Sequence, residues 1–300
     1  MPASQSNPTR GILLVCAAVF LFALSDVLTK QLAEHVAVPM IVAVRYAVNL
    51  GLLAVVLWPR HRAALWHTNR TWLVLLRGLC LAAASLTMGL ALRVMPVGET
   101  VAIVYLAPFL VMLLAVPLLG EKVSWIGWLA ATCGFAGVVL IARPGGGLDP
   151  VGVALALVNA CFGASYHLLT RFLARTETTI ALLFHTALVG SVVFGAMVIV
   201  APGQAPSPQA PALLDMALMG LLGALATAGH FLFTAAYRLA PASLLAPVNY
   251  LHLVWAAGLG WLFFDHIPVG WSLLGIVMVT VAGVAVAVRS QAMSRVKPVV

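Results

Sequence analysis

Residues 11–31 read GILLVCAAVFLFALSDVLTKQ, and residues 152–172 read GVALALVNACFGASYHLLTRF. Each is a predominantly apolar run of about 20 residues, the length an α-helix needs to cross a hydrocarbon core about 30 Å thick. At an offset of 141 Gly11 aligns with Gly152, Leu14 with Leu155, Ala23 with Ala164, Leu28 with Leu169 and Thr29 with Thr170, and Lys30 meets Arg171. Leu32 and Ala33 continue onto Leu173 and Ala174 without a gap. Two copies of one membrane-crossing helix are therefore expected to open two halves of the chain.

Working outward, ten such runs lie between polar punctuation: 11–31, 39–57, 71–93, 98–119, 125–142, 151–173, 179–200, 212–237, 242–264 and 269–289. Composition agrees, with 63% hydrophobic and only 8% charged residues where a soluble domain carries about 25% charged. The mean hydropathy is +1.09. A fold of 300 residues has no interior large enough to hide that much apolar surface from water, so lipid must cover it. In lipid only helices or closed barrels satisfy the backbone, and these runs are too long and too uniformly apolar for barrel strands. The predicted class is an all-α integral membrane protein. Gly11–Leu24 behind Arg10 resembles a secretory signal, but further spans follow and it reads as an uncleaved first helix.

A second offset, 145, aligns Arg93 with Arg238, Pro96 with Pro241, Tyr105 with Tyr250 and Leu106 with Leu251, pairing the fourth run with the ninth. Each half, 11–143 and 151–289, then holds five helices. An odd number makes the second half enter the membrane from the opposite side, so the repeat is expected to be inverted, with a site between the halves. If the N-terminus is cytoplasmic, eleven of the sixteen basic residues fall inside and only Lys30, Arg93 and Arg143 outside, with Arg45 and Arg77 within spans. By the positive-inside rule both termini face the cytoplasm.

Ten helices in two halves, with Leu119-Gly120-Glu121-Lys122 and Gly137-Val138-Val139-Leu140 closing the first, resemble the EamA family of the drug/metabolite transporter superfamily. The second half departs from the pattern, having Asp265-His266 where Glu121-Lys122 would repeat. The resemblance implies a bacterial inner-membrane exporter of amino acids, other metabolites or drugs, with aromatic amino acids one branch of cargo.

Ionisable residues within spans are costly and mark candidate sites. Asp26 and Arg45 lie at similar depth in the first and second helices and are expected to pair, either fixing packing or serving gating or proton coupling. Their repeat counterparts are His167 and Thr186 beside His185, a weaker polar cluster toward the opposite side. Arg77 is near enough to its helix end that it is expected to snorkel; facing a cavity it would instead bind a carboxylate. Tyr105, Asn159, Phe162, His230, Phe231, Asn249, Tyr250 and His252 approach the midplane and form the expected substrate site, amides and phenols holding a zwitterion and rings giving apolar or cation–π contact. Each has the alternative of an ordinary interhelical contact worth about 1 kcal/mol. Pro96, Pro108, Pro117, Pro241 and Pro247 are expected to bend their helices.

No cofactor or metal is expected. Cys16, Cys80, Cys133 and Cys161 all lie in apolar runs, and no HExxH, GxSxG or paired-cysteine spacing appears. Pro144-Gly145-Gly146-Gly147 lacks a following Gly-Lys-Ser/Thr, which excludes a phosphate loop there. The net charge of +8 is spread over short loops, unlike a nucleic-acid face. The expected partners are the bilayer and a small-molecule substrate, with one chain, as a monomer, holding a complete pathway. The function expected is secondary transport that exports a small amphipathic metabolite by alternating access, amino acids first and aromatic ones favoured. The alternatives are a proton-coupled multidrug or cation exporter, a channel, and, from another class, a lipid-modifying membrane enzyme, against which the scattered histidines argue.

Overall fold

In the computed structural model the apolar runs form helices. The structure describes residues 8–119, 125–143, 147–173, 176–200, 211–240, 245, 248–268 and 270–296. Within these lie α1 (Pro8–Ala33), α2 (Val38–Trp66), α3 (Thr71–Val94), α4 (Val97–Val104), α5 (Ala107–Leu119), α6 (Trp125–Ala142), α7 (Pro150–Leu173), α8 (Thr179–Val200), α9 (Leu213–Leu239), α10 (Leu251–Phe264) and α11 (Trp271–Val296). Among the described residues seven stretches are long and apolar enough to cross a membrane, and three shorter apolar helices lie at Gly127–Ala142, Leu251–Phe264 and Trp271–Ala285. Residues 120–122 of the loop motif, 144–146 of the glycine linker, most of the 202–211 connection, and Pro241 and Pro247 lie outside the described residues.

The fourth run is broken, which its hydropathy does not reveal. Pro108 has no N–H, and its ring cannot pack against the carbonyl of Val104, so the α-helical ladder stops there. Tyr105 still donates to Val101 O at 3.0 Å, Leu106 donates to Ile103 O at 3.0 Å in a tighter turn, and α5 restarts with Phe109 donating to Leu106 O at 3.0 Å. The ninth run shows a corresponding step: Tyr250 is the residue before α10, with φ −69° and ψ −11°. Two further differences are extensions, as α2 continues through Pro59 to Trp66 and α11 to Val296, past the apolar limits at 57 and 289.

Helices pack across the chain rather than along it. The main pairs are α3 with α7, α1 with α9, α6 with α11 and α2 with α8, followed by α2 with α9, α3 with α8 and α1 with α10. At the α6–α11 crossing a Cβ on Gly137 would sit 2.8 Å from Gly275 O, so glycine at both positions lets the backbones touch. The largest core cluster runs from Ala23 and Val27 through α4 to Leu253, Ala256 and Val279. Exposed apolar residues such as Val55, Ile199 and Leu262 cover the outside, and exposed Trp66, Trp72, Trp125, Trp261 and Trp271 lie near helix ends, as in interfacial belts. Below, the end of the bundle where α1 begins is the near end; the far end holds the α1–α2 turn.

Candidate functional site

The two helix interruptions meet. Breaking a helix frees backbone carbonyls that lipid cannot satisfy. Tyr105 answers this by donating its hydroxyl to Asn249 O at 2.8 Å. Its ring lies 5.1 Å from the Tyr250 ring and 5.9 Å from His252. His252 Nε2 is 3.1 Å from Asp26 Oδ2, and both side chains keep partial exposure, 14% and 16%. Phe22, one turn before Asp26, lies 4.9 Å from His230 and 6.4 Å from His252. Four segments from both ends of the sequence thus place two phenols, two imidazoles, a carboxylate and a phenyl ring around the breaks.

This corrects the expected Asp26–Arg45 pair. Similar depth along two helices does not make their faces meet, and Asp26 turns to α10. Arg45 instead stacks on Tyr46, its Cζ 5.2 Å from the ring centroid. Tyr46, unremarked in the sequence, is buried between Ser85, whose hydroxyl is 3.0 Å from its own, and Phe194, 5.7 Å away.

Arg77 does not snorkel. It is 3% exposed and donates to Thr170 Oγ1 at 2.7 Å, Thr186 Oγ1 at 2.6 Å, Leu182 O at 3.1 Å and the Tyr166 hydroxyl at 2.8 Å. Its guanidinium also covers the Tyr166 ring at 4.4 Å. The planar fork matches neutral oxygens presented by two facing helices, α7 and α8, and four of its five donors are taken there. Among the described residues Arg77 is therefore a buried cation held by neutral oxygens, tying α3 to both.

The remaining expected residues divide. Asn159 is buried and donates to Ala84 O, joining α7 to α3. His185 is buried, hydrogen-bonded to Ala181 O at 2.9 Å and packed edge-on against Trp66 and Phe184. His167 is exposed beside Tyr166. Phe162 is half-buried, and Phe231 is 69% exposed on the face of α9 away from Phe22. The structure brings Tyr105, Asn249, Tyr250, His252, His230 and Asp26 together and leaves Phe162, Phe231 and His185 out.

Sequence reasoning missed the helix-end acids. At the near end the Glu177 carboxylate accepts from the backbone N–H of Asn69 at 3.0 Å and of Arg70 at 2.8 Å, and Asn69 Nδ2 donates to Thr176 O. At the far end His35 meets Asp215 at 2.7 Å and His266 meets Glu99 at 2.9 Å, while Lys30 Nζ donates to Leu92 O and Met95 O. The usable signal was scarcity: with only eight acidic residues in the chain, each one invites a question about its partner.

Comparison with known proteins then sets the class. The model of the EamA-like transporter family matches residues 9–143 and again 150–289. A riboflavin transporter of Rhizobium johnstonii is 27% identical over 93% of this chain and 91% of its own length. A pseudopaline exporter of Pseudomonas aeruginosa is 25% identical over 92% and 95%. An S-adenosylmethionine uptake transporter of Rickettsia bellii is 28% identical over 71% of each chain. One solved crystal structure, 19% identical, superposes with a TM-score of 0.65 over 96% of this chain and 99% of that one, a likeness of fold. The chain belongs to the EamA-like transporter family: it is a multi-pass membrane protein and a secondary transporter of small metabolites.

Proposed function

We propose that this member of the EamA-like transporter family carries a small amphipathic metabolite, an amino acid or a close relative with aromatic side chains favoured, by alternating access across a bacterial inner membrane. The observation that carries this reading is the meeting of two interrupted helices at Tyr105 and Tyr250, beside Asp26 and His252. Interrupted helices in a membrane expose backbone polar groups only where a protein-lined cavity can use them, and transporters place substrate sites at such breaks. Rings from Phe22, Tyr105 and His252 supply a stacking surface there.

Ten crossings in two inverted halves, with both termini cytoplasmic, complete the proposal. Its support is the family match to each half and the symmetry of the helix-end clamps. Glu177, in the turn after the first helix of the second half, grips the start of α3, the third helix of the first half. His35, in the turn after α1, reaches Asp215 at the start of α9, the third helix of the second half. The two clamps lie at opposite ends, as an inverted pair requires, and releasing them alternately would open the bundle first to one side and then the other. One chain then holds a complete pathway. The relatives' names include both uptake and export, so direction follows the cargo gradient and any coupled ion rather than family membership.

The test is uptake of labelled tryptophan, phenylalanine, threonine and a lipophilic cation into liposomes holding the purified protein, with and without a proton gradient. Saturable amino-acid flux with counterflow supports the proposal and excludes a channel. The second reading, a proton-coupled cation exporter, draws on the Asp26–His252 pair, two titratable groups in contact at the breaks. Proton-driven flux of the cation alone, lost in Asp26→Asn with cation binding retained, would establish it instead.

A further inference from the structure

At the far end a cavity of about 510 Å³ is lined by Lys30, Glu99, Arg143, Phe264 and His266, among others. It lies about 9 Å toward the bundle end from the Tyr105 break, six residues along α4. Glu99 sits in the first turn of α4, where the positive end of the helix dipole favours an ionised carboxylate. It is 2% exposed, and its Oε1 accepts one hydrogen bond, from His266 Nε2 at 2.9 Å. Its Oε2 is buried with no hydrogen-bond partner among the described residues. A carboxylate offers about four lone-pair sites, and leaving a buried one so underused is costly. The chemistry missing at Glu99 is a cation with several donors.

The opposite pole is already present. Lys30 spends two N–H bonds on the carbonyls of Leu92 and Met95, and one ammonium proton remains. Arg143, resting on Trp271 at 5.7 Å, adds a second cation to the lining, and Phe264 lies 5.4 Å below Lys30 Nζ. One buried anion and two cations lining the same cavity match a zwitterion.

We propose that this cavity is a second, peripheral site for a primary-ammonium zwitterion, in which the ligand ammonium takes Glu99 from His266 and the ligand carboxylate meets Lys30 and Arg143. The exchange has a structural consequence. Asp265, in a left-handed conformation at φ 51°, caps α10 and turns the chain so that His266 returns to Glu99 on α4. The Glu99–His266 contact therefore joins the two halves at the far end, and a ligand that replaces His266 releases that tie. The inference deepens the proposed transport of amino-acid-like cargo and rests on it for the ligand class.

The experiment measures equilibrium binding of L-phenylalanine, 3-phenylpropionate and phenethylamine to the full chain in nanodiscs. Wild-type protein is expected to prefer phenylalanine over 3-phenylpropionate by about tenfold, the loss of one charge-assisted contact. Glu99→Gln removes that preference at an unchanged melting temperature, and Arg143→Gln weakens the preference for phenylalanine over phenethylamine. His266→Ala tightens phenylalanine binding, because the competitor for Glu99 is gone; a purely structural histidine would give no change or a loss. Equal binding of phenylalanine and 3-phenylpropionate by wild type, a preference retained in Glu99→Gln, or unchanged or weaker binding in His266→Ala overturns the site. Liposome flux separates the two claims. Saturable flux with binding indifferent to Glu99 rejects this site alone, whereas Glu99-dependent binding without any flux rejects the transport reading and leaves the site.

Discussion

Replacing Arg77 with methionine tests whether a charge buried in the bundle serves stability or motion. A lone arginine at membrane depth costs about 2.5–3.5 kcal/mol on insertion scales. Four interhelical hydrogen bonds at about 0.6 kcal/mol each, with about 1–2 kcal/mol for the stacking on Tyr166, return roughly that amount. Three of the four acceptors remain tolerable without it, because Thr170 and Thr186 already donate to Tyr166 O and Leu182 O within their own helices. Arg77→Met should therefore cost only about 1 kcal/mol. Arg77→Lys keeps the charge but replaces a planar fork by one nitrogen that cannot reach acceptors on both α7 and α8, so it should cost about 2 kcal/mol and be the less stable variant. Unfolding in mixed micelles, followed through the eight tryptophans, reads both values. Transport should fall by about tenfold or more in both, since α3 loses its tie to the other half and the near end no longer closes as a unit. A methionine variant destabilised by more than about 3 kcal/mol, or one that transports like wild type, would refute this reasoning.

Tyr105→Phe leaves Asn249 O without its phenol donor and should lower stability by about 1 kcal/mol while reducing phenylalanine flux; an unchanged melting curve would show the hydroxyl to be idle. Glu177→Ala uncovers the backbone N–H groups of Asn69 and Arg70, costing about 1–2 kcal/mol, and hydrogen exchange in the first turn of α3 should rise while that of α9 stays constant. Gly275→Val drives a side chain into Gly137 and Ile141 and should destabilise by about 1–3 kcal/mol, whereas Gly51→Ala, which meets nothing within 4 Å, should be neutral or stabilising.

The reading of Tyr105 and Tyr250 as repeat partners was available from spacing, and both stand at breaks in their helices. The break itself was less visible, because Pro108 is compatible with either a kink or an interruption. Asp26 stands out in the sequence as a costly residue, but its partner does not, since helix periodicity places a side chain on a face without saying which helix that face meets. Arg77 shows the same limit more sharply. Its distance from the helix end favoured snorkelling, and only the convergence of Thr170, Thr186 and Tyr166 from α7 and α8 made burial tolerable.

By itself the sequence determined the solvent and the class of secondary structure, because hydrophobic length and the demand for backbone hydrogen bonds in lipid are local properties. Its internal offsets also led to the expectation of two repeated halves. The tertiary structure alone decided that Asp26 faces His252, that Arg77 is enclosed, and that Glu99 lies half-satisfied beside a cavity. Those outcomes depend on the rotation and register of packed helices, set by close contacts such as that between Gly137 and Gly275, and many rotations satisfy the same pattern of apolar residues equally well.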